Sequence, residues 1–558
     1  MFRARSYIVF LLFAFAYLVL SGRLFFLQVM NFEKYSTMAL EQHNKIIKID
    51  PVRGAIYDRF MEPLAVNLDT ISIYADPRMV DDPASTSDAL ADKLGLDRDV
   101  IFKRLSSGKG FVWIKRKIDH QEIDEAKKIK LKGVFFVTES KRIYPNDTFA
   151  SHMIGYSGID NNGLEGLELI YDQKLKGAPG YRHFMRDARL KPVLFDDKAS
   201  MRAENGENLV LTVDSVVQYI VEEEILKMVE KFNCSSATIA VMEPSTGKML
   251  ALANYPNCDL NKYPESPSEN RKNISVASVY EPGSAFKIVT ASAAIDTDIV
   301  KPTDVFNCEN GNYNICGRIL HDVHPYGNMQ YSEVIAKSSN IGTVKSAIKV
   351  GPKILFEYIK KFGFGEVTGI DLPGEIPGLV RAPSVWSKSD ITTVPIGQGI
   401  AVTSMQLLAA TAVIANGGML VKPYIVEKIT TMDGEVVEEF APEIKRRVLK
   451  ESTALVIKDF LEKVVLEGTG KTASSKIVSI CGKTGTAQRV NPAGGYYSDR
   501  YQSTFVGFAP KDDPSICMVV TAEDAHPLHY GGTVAGPTFK NITEKIVQYL
   551  ENNKQKKK

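Results

Sequence analysis

The chain has 558 residues, a length that predicts two or more domains rather than a single hydrophobic core. Its 68 lysines and arginines nearly balance its 66 aspartates and glutamates, so no basic surface typical of nucleic-acid binding is indicated. Six scattered cysteines argue against a disulfide scaffold, and no phosphate-binding loop, dinucleotide fingerprint or paired Cys-x-x-Cys motif occurs.

The N-terminal residues predict a membrane anchor. Residues 7–27 are mostly apolar and long enough to span a bilayer if Arg23 reaches the far interface. Arg3 and Arg5 place residues 1–6 in the cytoplasm and the remaining chain beyond the cytoplasmic membrane. Small residues inside the segment also fit a signal-peptidase site, but apolar residues follow them directly, which favours an uncleaved anchor.

Two further regions follow the anchor. Residues 35–202 mix short strands and helices with turns rich in glycine and proline, and they predict an α+β domain. Residues 208–550 have strand-like runs at both ends and a helical middle, ending in a helix predicted at 537–550. This order predicts an α/β domain whose sheet is built from both ends of the region. The basic residues 551–558 are predicted to form a solvated tail.

Three short motifs occur in order along the second region: Ser284-Ala-Phe-Lys287, Ser338-Ser-Asn340 and Lys483-Thr-Gly-Thr486. Each is weak alone. Two other Ser-x-x-Lys matches, at residues 106 and 346, do not open a helix after a tight turn and are interpreted as chance. Together the three motifs predict a serine acyl-transfer site.

The surroundings of Ser284 favour this interpretation. A Glu-Pro-Gly turn precedes it and an apolar run that predicts a buried helix follows it. A serine on the first helical turn lies where free N–H groups and the helix dipole stabilise an oxyanion. Lys287, three residues on, shares the helix face and can reach the hydroxyl proton. Taken alone, the motif fits an ordinary helix N-terminus with a surface lysine equally well.

The other two motifs also have simpler interpretations. The second precedes a helix-like run and fits a polar helix cap. The third is placed at the end of a strand-like run that begins at residue 476, with two more strand-like runs after it, as in adjacent antiparallel strands. Gly482 and Gly485 are expected to let the backbone approach a ligand closely. The alternative is a surface hairpin.

These motifs resemble those of the class B penicillin-binding proteins, the monofunctional peptidoglycan transpeptidases, and the resemblance covers nearly the whole chain. The motifs similar to the family's pedestal domain are Arg53-Gly54-Ala-Ile-Tyr-Asp58-Arg59, Tyr144-Pro145, His152-Met-Ile-Gly155 and Gly163-Leu-Glu-Gly-Leu-Glu168. Those similar to the division-specific, FtsI-type branch are Asn270-Arg271 with Tyr280-Glu-Pro-Gly-Ser284, Gly397-Gln-Gly399 and Tyr530-Gly-Gly-Thr-Val-Ala-Gly-Pro537. Phe60-Met61, Asp147 and Ala285 depart from the family pattern, which usually has Asn-Gly, Gly and Thr there.

The resemblance implies a penicillin-recognising serine transpeptidase fold, an antiparallel sheet sandwiched by helices. It also implies an N-terminal α+β pedestal of the dimerisation type and a single transmembrane helix. The implied activity is D-Ala-D-Ala transpeptidation through a serine acyl-enzyme during septal cell-wall synthesis, inhibited covalently by β-lactams and requiring no cofactor or metal. The implied partners are peptidoglycan stem peptides, an FtsW-type glycan polymerase and other divisome proteins of the bacterial inner membrane. The anchor and residues 53–59 are candidate surfaces for those partners, unless the charges at 53–59 pair internally.

In the expected mechanism, Ser284 attacks the D-Ala-D-Ala carbonyl and neutral Lys287 takes its proton. Burial and the cation of Lys483 are both expected to keep Lys287 neutral. Ser338 relays a proton to the departing nitrogen, and Asn340 holds Lys287 and the substrate amide.

The third motif is expected to bind the terminal carboxylate of the substrate. Lys483 supplies a positive charge, and Thr484 and Thr486, with Gly485 between them, supply two hydroxyl donors at strand spacing. The backbone N–H groups of Ser284 and Thr486 are expected to form the oxyanion hole.

Several alternatives stay open. A serine β-lactamase is disfavoured by the anchor and by the lack of a recognisable deacylating glutamate, and a drug-responsive sensor is disfavoured by the short cytoplasmic segment. A non-catalytic divisome scaffold and an elongation-specific transpeptidase remain. Cys308 and Cys316 are close enough in sequence to form a disulfide or to remain thiols. His321-Asp-Val-His324 is interpreted as a polar loop rather than a metal pair. The acceptor amine of the cross-link is not indicated.

Overall fold

The computed structural model describes residues 2–119, 122–186 and 192–556. In these ranges the helices are α1 (Phe2–Phe25), α2 (Phe32–His43), α3 (Pro83–Leu94), α4 (Arg98–Leu105), α5 (Ile123–Lys127), α6 (Ser151–Ile154), α7 (Gly166–Ile170), α8 (Asp172–Lys176), α9 (Ser215–Phe232), α10 (Ser268–Arg271), α11 (Ile274–Ala277), α12 (Lys287–Asp296), α13 (Tyr331–Ala336), α14 (Asn340–Val350), α15 (Pro352–Lys361), α16 (Ser404–Ala415), α17 (Glu451–Leu466) and α18 (Gly531–Lys556).

The strands in the same ranges are β1 (Asn44–Ile49), β2 (Ile56–Tyr57), β3 (Pro63–Ala75), β4 (Val112–Lys115), β5 (Val134–Ile143), β6 (Gly180–Arg186), β7 (Pro192–Met201), β8 (Asn208–Leu211), β9 (Ser236–Met242), β10 (Met249–Tyr255), β11 (Val305–Asn307), β12 (Asn312–Ile315), β13 (Arg318–His321), β14 (Asn328–Gln330), β15 (Met419–Val421), β16 (Val426–Thr430), β17 (Val436–Glu439), β18 (Ile444–Arg447), β19 (Cys481–Val490), β20 (Tyr496–Ala509) and β21 (Ile516–Glu523).

The chain divides into two compact units, and the smaller comprises Met1–Arg53 and Lys176–Gly206. Its strands form an antiparallel sheet in the order β1-β6-β7. Helix α1 continues through a π turn, so that Phe2–Met30 is one apolar helical segment without buried residues. At 1.5 Å per residue, α1 alone is about 36 Å long, which exceeds the hydrocarbon core of a bilayer. This segment includes the predicted anchor at residues 7–27.

The larger unit, Gly54–Leu175 with Glu207–Lys558, contains a sheet of seven strands in the order β17-β16-β8-β2-β3-β4, with β5 also paired to β3. Strand β8 is parallel to β2 and antiparallel to β16. A Cβ at Gly54 would lie 1.8 Å from the Glu207 carbonyl oxygen, so only glycine lets the chain before β2 approach the chain before β8. Strand β8, which opens the region predicted at 208–550, thus lies in one sheet with β2 and β3 of the region predicted at 35–202. The predicted domain boundaries at 202 and 208 stay a prediction.

Buried polar contacts hold the pedestal motifs together. Arg142 donates from Nη1 to the Gly54 carbonyl at 2.7 Å and forms an ion pair of 2.7 Å with Glu168. Tyr144 donates its hydroxyl to Glu168 at 3.2 Å and accepts the Ser157 N–H at 2.8 Å. Because both charges of the ion pair are almost fully buried, removing either partner leaves an unpaired charge in the core.

Two departures from the family pattern fall in turns that glycine usually occupies. Met61 has φ 68° and Asp147 has φ 46°, both in the left-handed region where a side chain costs about 1–2 kcal/mol. The Asp58 carboxylate accepts the N–H groups of Phe60 and Glu62, each at 2.8 Å. These bonds offset the strain at Met61, so the turn keeps its shape without glycine.

The central sheet of the larger unit has five antiparallel strands in the order β10-β9-β21-β20-β19. Helices α9 and α18 pack on one face, and α12 and α16 lie in the core on the other. The predicted antiparallel sheet sandwiched by helices and built from both ends of the region is confirmed.

Three predicted element bounds are wrong. The strand predicted from residue 476 begins at Cys481, because the Ser475 hydroxyl accepts the N–H groups of Ile477 and Val478 in a turn. Helix α18 begins at Gly531, so the predicted start at 537 falls in its second turn. The same helix continues to Lys556 through most of the predicted tail, and residues 557 and 558 lie outside the described residues.

Candidate active site

Ser284 lies in a 3₁₀ turn, Gly283–Phe286, that leads directly into α12. The turn is held by Gly283, whose N–H donates to the Gly397 carbonyl at 3.1 Å. A Cβ at Gly397 would lie 2.1 Å from the Gly283 carbonyl oxygen, and both glycines have positive φ. The Ser284 hydroxyl is half-buried and makes no hydrogen bond with any described residue. It is therefore available to react with a ligand.

Lys287 is fully buried at the start of α12 and brings the first two motifs together. Its Nζ donates to the Ser338 carbonyl at 2.7 Å, to Asn340 Oδ1 at 2.8 Å and to Ser338 Oγ at 3.2 Å. Three oxygens thus surround one amine that has no exposure to water. The first two predicted motifs form one hydrogen-bonded cluster.

Lys483 completes the cluster from β19. Its Nζ donates to Ser338 Oγ at 2.9 Å, so the Ser338 hydroxyl lies between the two lysine amines. Ser338 has φ 60°, a left-handed conformation that costs a non-glycine residue about 1–3 kcal/mol and persists only where its surroundings impose it. The structure therefore holds this hydroxyl between the amines at a cost in backbone strain.

The electrostatics favour a neutral amine in the cluster. Burial lowers the pKa of Lys287 to about 7, against the opposing effects of the Asp322 carboxylate and the Cys308 thiol. Burial, together with the neighbouring Lys287, lowers the pKa of Lys483 well below its usual value. Two amines around one hydroxyl disfavour double protonation, which leaves a base available near neutral pH. Burial, and not the charge of Lys483, is the main cause for Lys287.

Asp322 is a site residue that the sequence analysis missed. Its carboxylate accepts the Asn340 N–H at 2.5 Å, the Ile341 N–H at 3.1 Å and the Ser339 hydroxyl at 2.5 Å, and so caps α14 from a different loop. Asn340 also donates Nδ2 to the His321 carbonyl at 2.9 Å, which turns its Oδ1 towards Lys287. The sequence signal was present in the His321-Asp322 pair, but its partners lie 17 or more residues away.

The hydroxyls of the third motif have protein partners. Thr484 Oγ1 lies 2.7 Å from Thr469 Oγ1, and Thr486 Oγ1 accepts the Gly531 N–H at 3.0 Å. The Thr469 contact was not predicted, because nothing in the sequence links residues 469 and 484.

The glycines of that motif make room for protein atoms rather than for a ligand, contrary to the expectation above. A Cβ at Gly482 would lie 2.5 Å from the Phe505 ring, and one at Gly485 would lie 2.7 Å from the Pro282 carbonyl oxygen. The second contact packs β19 directly against the turn that carries Ser284. Gly485 thus positions the third motif against the first.

Two of the three charged residues of the first pedestal motif are buried. Arg53 and Asp58 are each 1% exposed. Asp58 also accepts the Ser215 N–H at 3.3 Å, and the Arg59 N–H donates to the Val213 carbonyl at 2.9 Å. These bonds tie the motif to the start of α9. Arg59 is partly exposed, and the neighbouring Phe60-Met61 pair is half-exposed.

The side chains of the remaining candidates make no hydrogen bond with Ser284, Lys287, Ser338, Asn340 or Lys483 in the described part of the chain. Ser346 is fully buried in α14 and bonded to Tyr331, and Ser106 ends α4, so neither resembles Ser284. Cys308 is buried and Cys316 is exposed, and both are free thiols. His321 Nδ1 lies 2.8 Å from Asn312 Oδ1, as in a polar loop.

Comparison with known proteins identifies the family. A model of the penicillin-binding protein transpeptidase domain matches residues 237–544, and one of the penicillin-binding protein dimerisation domain matches residues 48–211. The chain is 35% identical over 548 residues to stage V sporulation protein D of Bacillus subtilis, which covers 97% of this chain and 85% of that protein. It is 32% identical over 549 residues to the peptidoglycan D,D-transpeptidase FtsI of Escherichia coli, which covers 97% of this chain and 90% of that protein.

A solved structure has the same fold. The aztreonam complex of penicillin-binding protein 3 from Mycobacterium tuberculosis superposes with a TM-score of 0.71 at 28% identity, covering 90% of this chain and 97% of that one. With the match of both domain models, these similarities show that the chain belongs to the class B penicillin-binding proteins, serine acyltransferases of the peptidoglycan D,D-transpeptidase type.

Proposed function

We propose that this protein cross-links peptidoglycan stem peptides during septal cell-wall synthesis. The observation that carries the proposal is the buried cluster of Lys287, Ser338, Asn340 and Lys483, joined by hydrogen bonds of 2.7–3.2 Å. It lies at the start of the helix that follows Ser284. Serine acyl transfer requires a base within reach of the nucleophile, and the buried amine of Lys287 belongs to the residue three positions after Ser284.

In the first step, the Ser284 oxygen attacks the carbonyl of the D-Ala-D-Ala bond and neutral Lys287 takes the hydroxyl proton. As the C–N bond breaks, Ser338 passes a proton to the nitrogen of the departing D-alanine, and Lys287 or Lys483 reprotonates Ser338. An amine of a second stem peptide then attacks the acyl ester, and the Ser284 hydroxyl is restored. The two hydrogen bonds to Ser338 Oγ support its role as the relay.

Residues of β19 recognise the substrate. The positive end of Lys483 and the hydroxyls of Thr484 and Thr486, flanking Gly485, suit the terminal carboxylate of the stem peptide. The N–H groups of Ser284 and Thr486 form the oxyanion hole, and each such donor contributes about 3 kcal/mol in related chemistry. Thr484 must exchange its contact with Thr469 for the carboxylate.

We place the protein in the inner membrane with a single anchor, Phe2–Met30, its N-terminus in the cytoplasm and its catalytic part in the periplasm. No segment resembles a glycan polymerase, so the proposed partner is an FtsW-type polymerase with other divisome proteins. The anchor, with Gly22 among its small residues, offers one surface for close helix packing. The half-exposed Phe60-Met61 turn offers a second.

Similarity to stage V sporulation protein D supports a second candidate, cross-linking during spore formation. Depleting the protein distinguishes these roles. A septal enzyme is expected to leave cells as undivided filaments, rescued by the wild-type gene and not by Ser284→Ala. Rescue by Ser284→Ala would instead indicate a non-catalytic scaffold. Normal septation with rounded cells would point to elongation, and normal growth with defective spores to sporulation.

A further inference from the structure

One face of the sheet formed by β3, β4 and β5 carries a row of aromatic side chains. Tyr74 on β3 is paired with Trp113 on β4 and with Phe135 on β5, so the three residues are neighbours across the strands. Phe111, just before β4, adds a fourth ring. We call these four side chains the aromatic platform.

The four rings contact one another closely. The Tyr74 centroid lies 5.4 Å from that of Phe135 and 4.9 Å from that of Phe111, with interplanar angles of 26° and 27°. Trp113 meets Tyr74 at 6.3 Å and Phe111 at 4.9 Å, edge to face in both cases. Such pairs stabilise one another beyond the burial of their apolar area. The platform is therefore fixed in place before any ligand arrives.

The other face of the same strands is already a core. Ile73, Ile114 and Val134 alternate with the platform residues and pack into the cluster beneath α3 and α4. On the platform side, Phe111 is 47% exposed and its three neighbours are partly exposed. An antiparallel sheet with one buried face usually presents polar side chains on the other. A partly exposed group of aromatic rings in that position, with Phe111 the most exposed, indicates a binding site.

Two arginine side chains near the platform are paired with carboxylates. Arg116 lies 4.7 Å over the Trp113 ring and forms ion pairs of 2.6 Å with both Glu139 and Asp160. Arg78, just after β3, is likewise paired with a carboxylate at 2.8 Å. The rim thus offers hydrogen-bond donors from the arginines and acceptors from the carboxylates, all in fixed positions. Such a rim suits an uncharged ligand with many hydroxyl groups better than a charged one.

We propose that the aromatic platform binds the glycan backbone of peptidoglycan. The C–H groups on the flat face of a sugar ring carry small positive charges and can stack on an exposed aromatic ring. Phe111 supplies that ring, because Tyr74 is already stacked against Phe111 and Phe135, and Arg116 lies over Trp113. Hydroxyl and acetamido groups of the sugar then reach the paired side chains of the rim. This site goes beyond the proposed function, because it takes the glycan and not the stem peptide. Only the choice of polymer rests on that function.

The test uses a neutral chitin hexamer, which has no stem peptide and cannot react at Ser284. In the detergent-solubilised full chain, Trp386→Phe leaves Trp113 as the single tryptophan reporter of the two. Titration is expected to give a saturable change in Trp113 fluorescence. Phe111→Ala is expected to weaken binding by about tenfold or more, as truncation of a central interface aromatic commonly does.

The matched control is Tyr219→Ala, which removes a 65% exposed ring from α9 and is expected to leave hexamer binding unchanged. Penicillin labelling of Ser284, measured in parallel, is expected to be unaffected in both variants and shows that the protein is folded. The proposal is overturned if the hexamer does not bind to protein that labels normally. It is also overturned if Phe111→Ala and Tyr74→Ala both bind the hexamer with the wild-type affinity. If the platform binds a protein partner rather than a glycan, the hexamer is expected not to bind. Neither result bears on transpeptidation, because labelling reports on that site separately.

Discussion

Replacing Asp322 by alanine is expected to slow acylation of Ser284 while the fold survives. The carboxylate accepts hydrogen bonds from two backbone N–H groups at the start of α14 and from the Ser339 hydroxyl. A capping side chain contributes about 0.5–2 kcal/mol. If this free energy is what holds Ser338 and Asn340 in their reactive positions, its loss slows acylation by about 2- to 30-fold.

The matched variant Asp322→Asn separates geometry from charge. It keeps an oxygen acceptor for the helix but removes the negative charge of the carboxylate. In the wild-type protein that charge raises the pKa of Lys287, although burial lowers the same pKa by more. Without that charge the pKa of Lys287 falls further below its value of about 7. Because the neutral amine is the base, the rising limb of the pH profile is expected to move to lower pH.

The assay is the second-order rate constant for labelling by fluorescent penicillin, measured on both sides of pH 7. Asp304→Ala serves as the control, since among the described residues that carboxylate accepts only a loop N–H, from Lys301. A wild-type rate in Asp322→Ala refutes the positioning role. A shift of the Asp322→Asn profile to higher pH refutes Lys287 as the base.

Three other outcomes are expected. Lys287→Ala should lose about 100- to 10,000-fold in acylation rate, as removal of a general base typically does; near wild-type labelling of a variant with unchanged circular dichroism contradicts this. Lys483→Ala should raise the penicillin concentration needed for half-maximal labelling more than it slows the acylation step at saturation, and the reverse split contradicts a role in carboxylate recognition. Removing Met1–Met30 should give a soluble protein that still binds penicillin; a folded truncation that fails to bind would mean that the anchor shapes the site.

Much of the site could be predicted because its information is local. Ser284 and Lys287 are three residues apart on one helix, and the turn before them is visible as Glu-Pro-Gly. The strands at both ends of the catalytic region alternate or are continuously apolar, so β9, β10, β20 and β21 could be placed before the structure was known.

The rest depends on contacts between distant residues. Asp322 caps a helix from another loop, and Thr469 pairs with Thr484 across a turn, neither of which leaves a pattern in the sequence. The left-handed φ of Ser338 is imposed by its surroundings against its own preference. Strand β8 could not be assigned to its sheet, because strand pairing depends on Gly54 and residues 153 positions away.

The central claim is that Ser284 is the acylated nucleophile. After incubation with labelled penicillin, mass spectrometry of the proteolysed protein should find one stable ester adduct, on Ser284, and none in Ser284→Ala. An adduct on Ser106 or Ser346, continued labelling of Ser284→Ala, or hydrolysis of the penicillin within seconds would contradict the account.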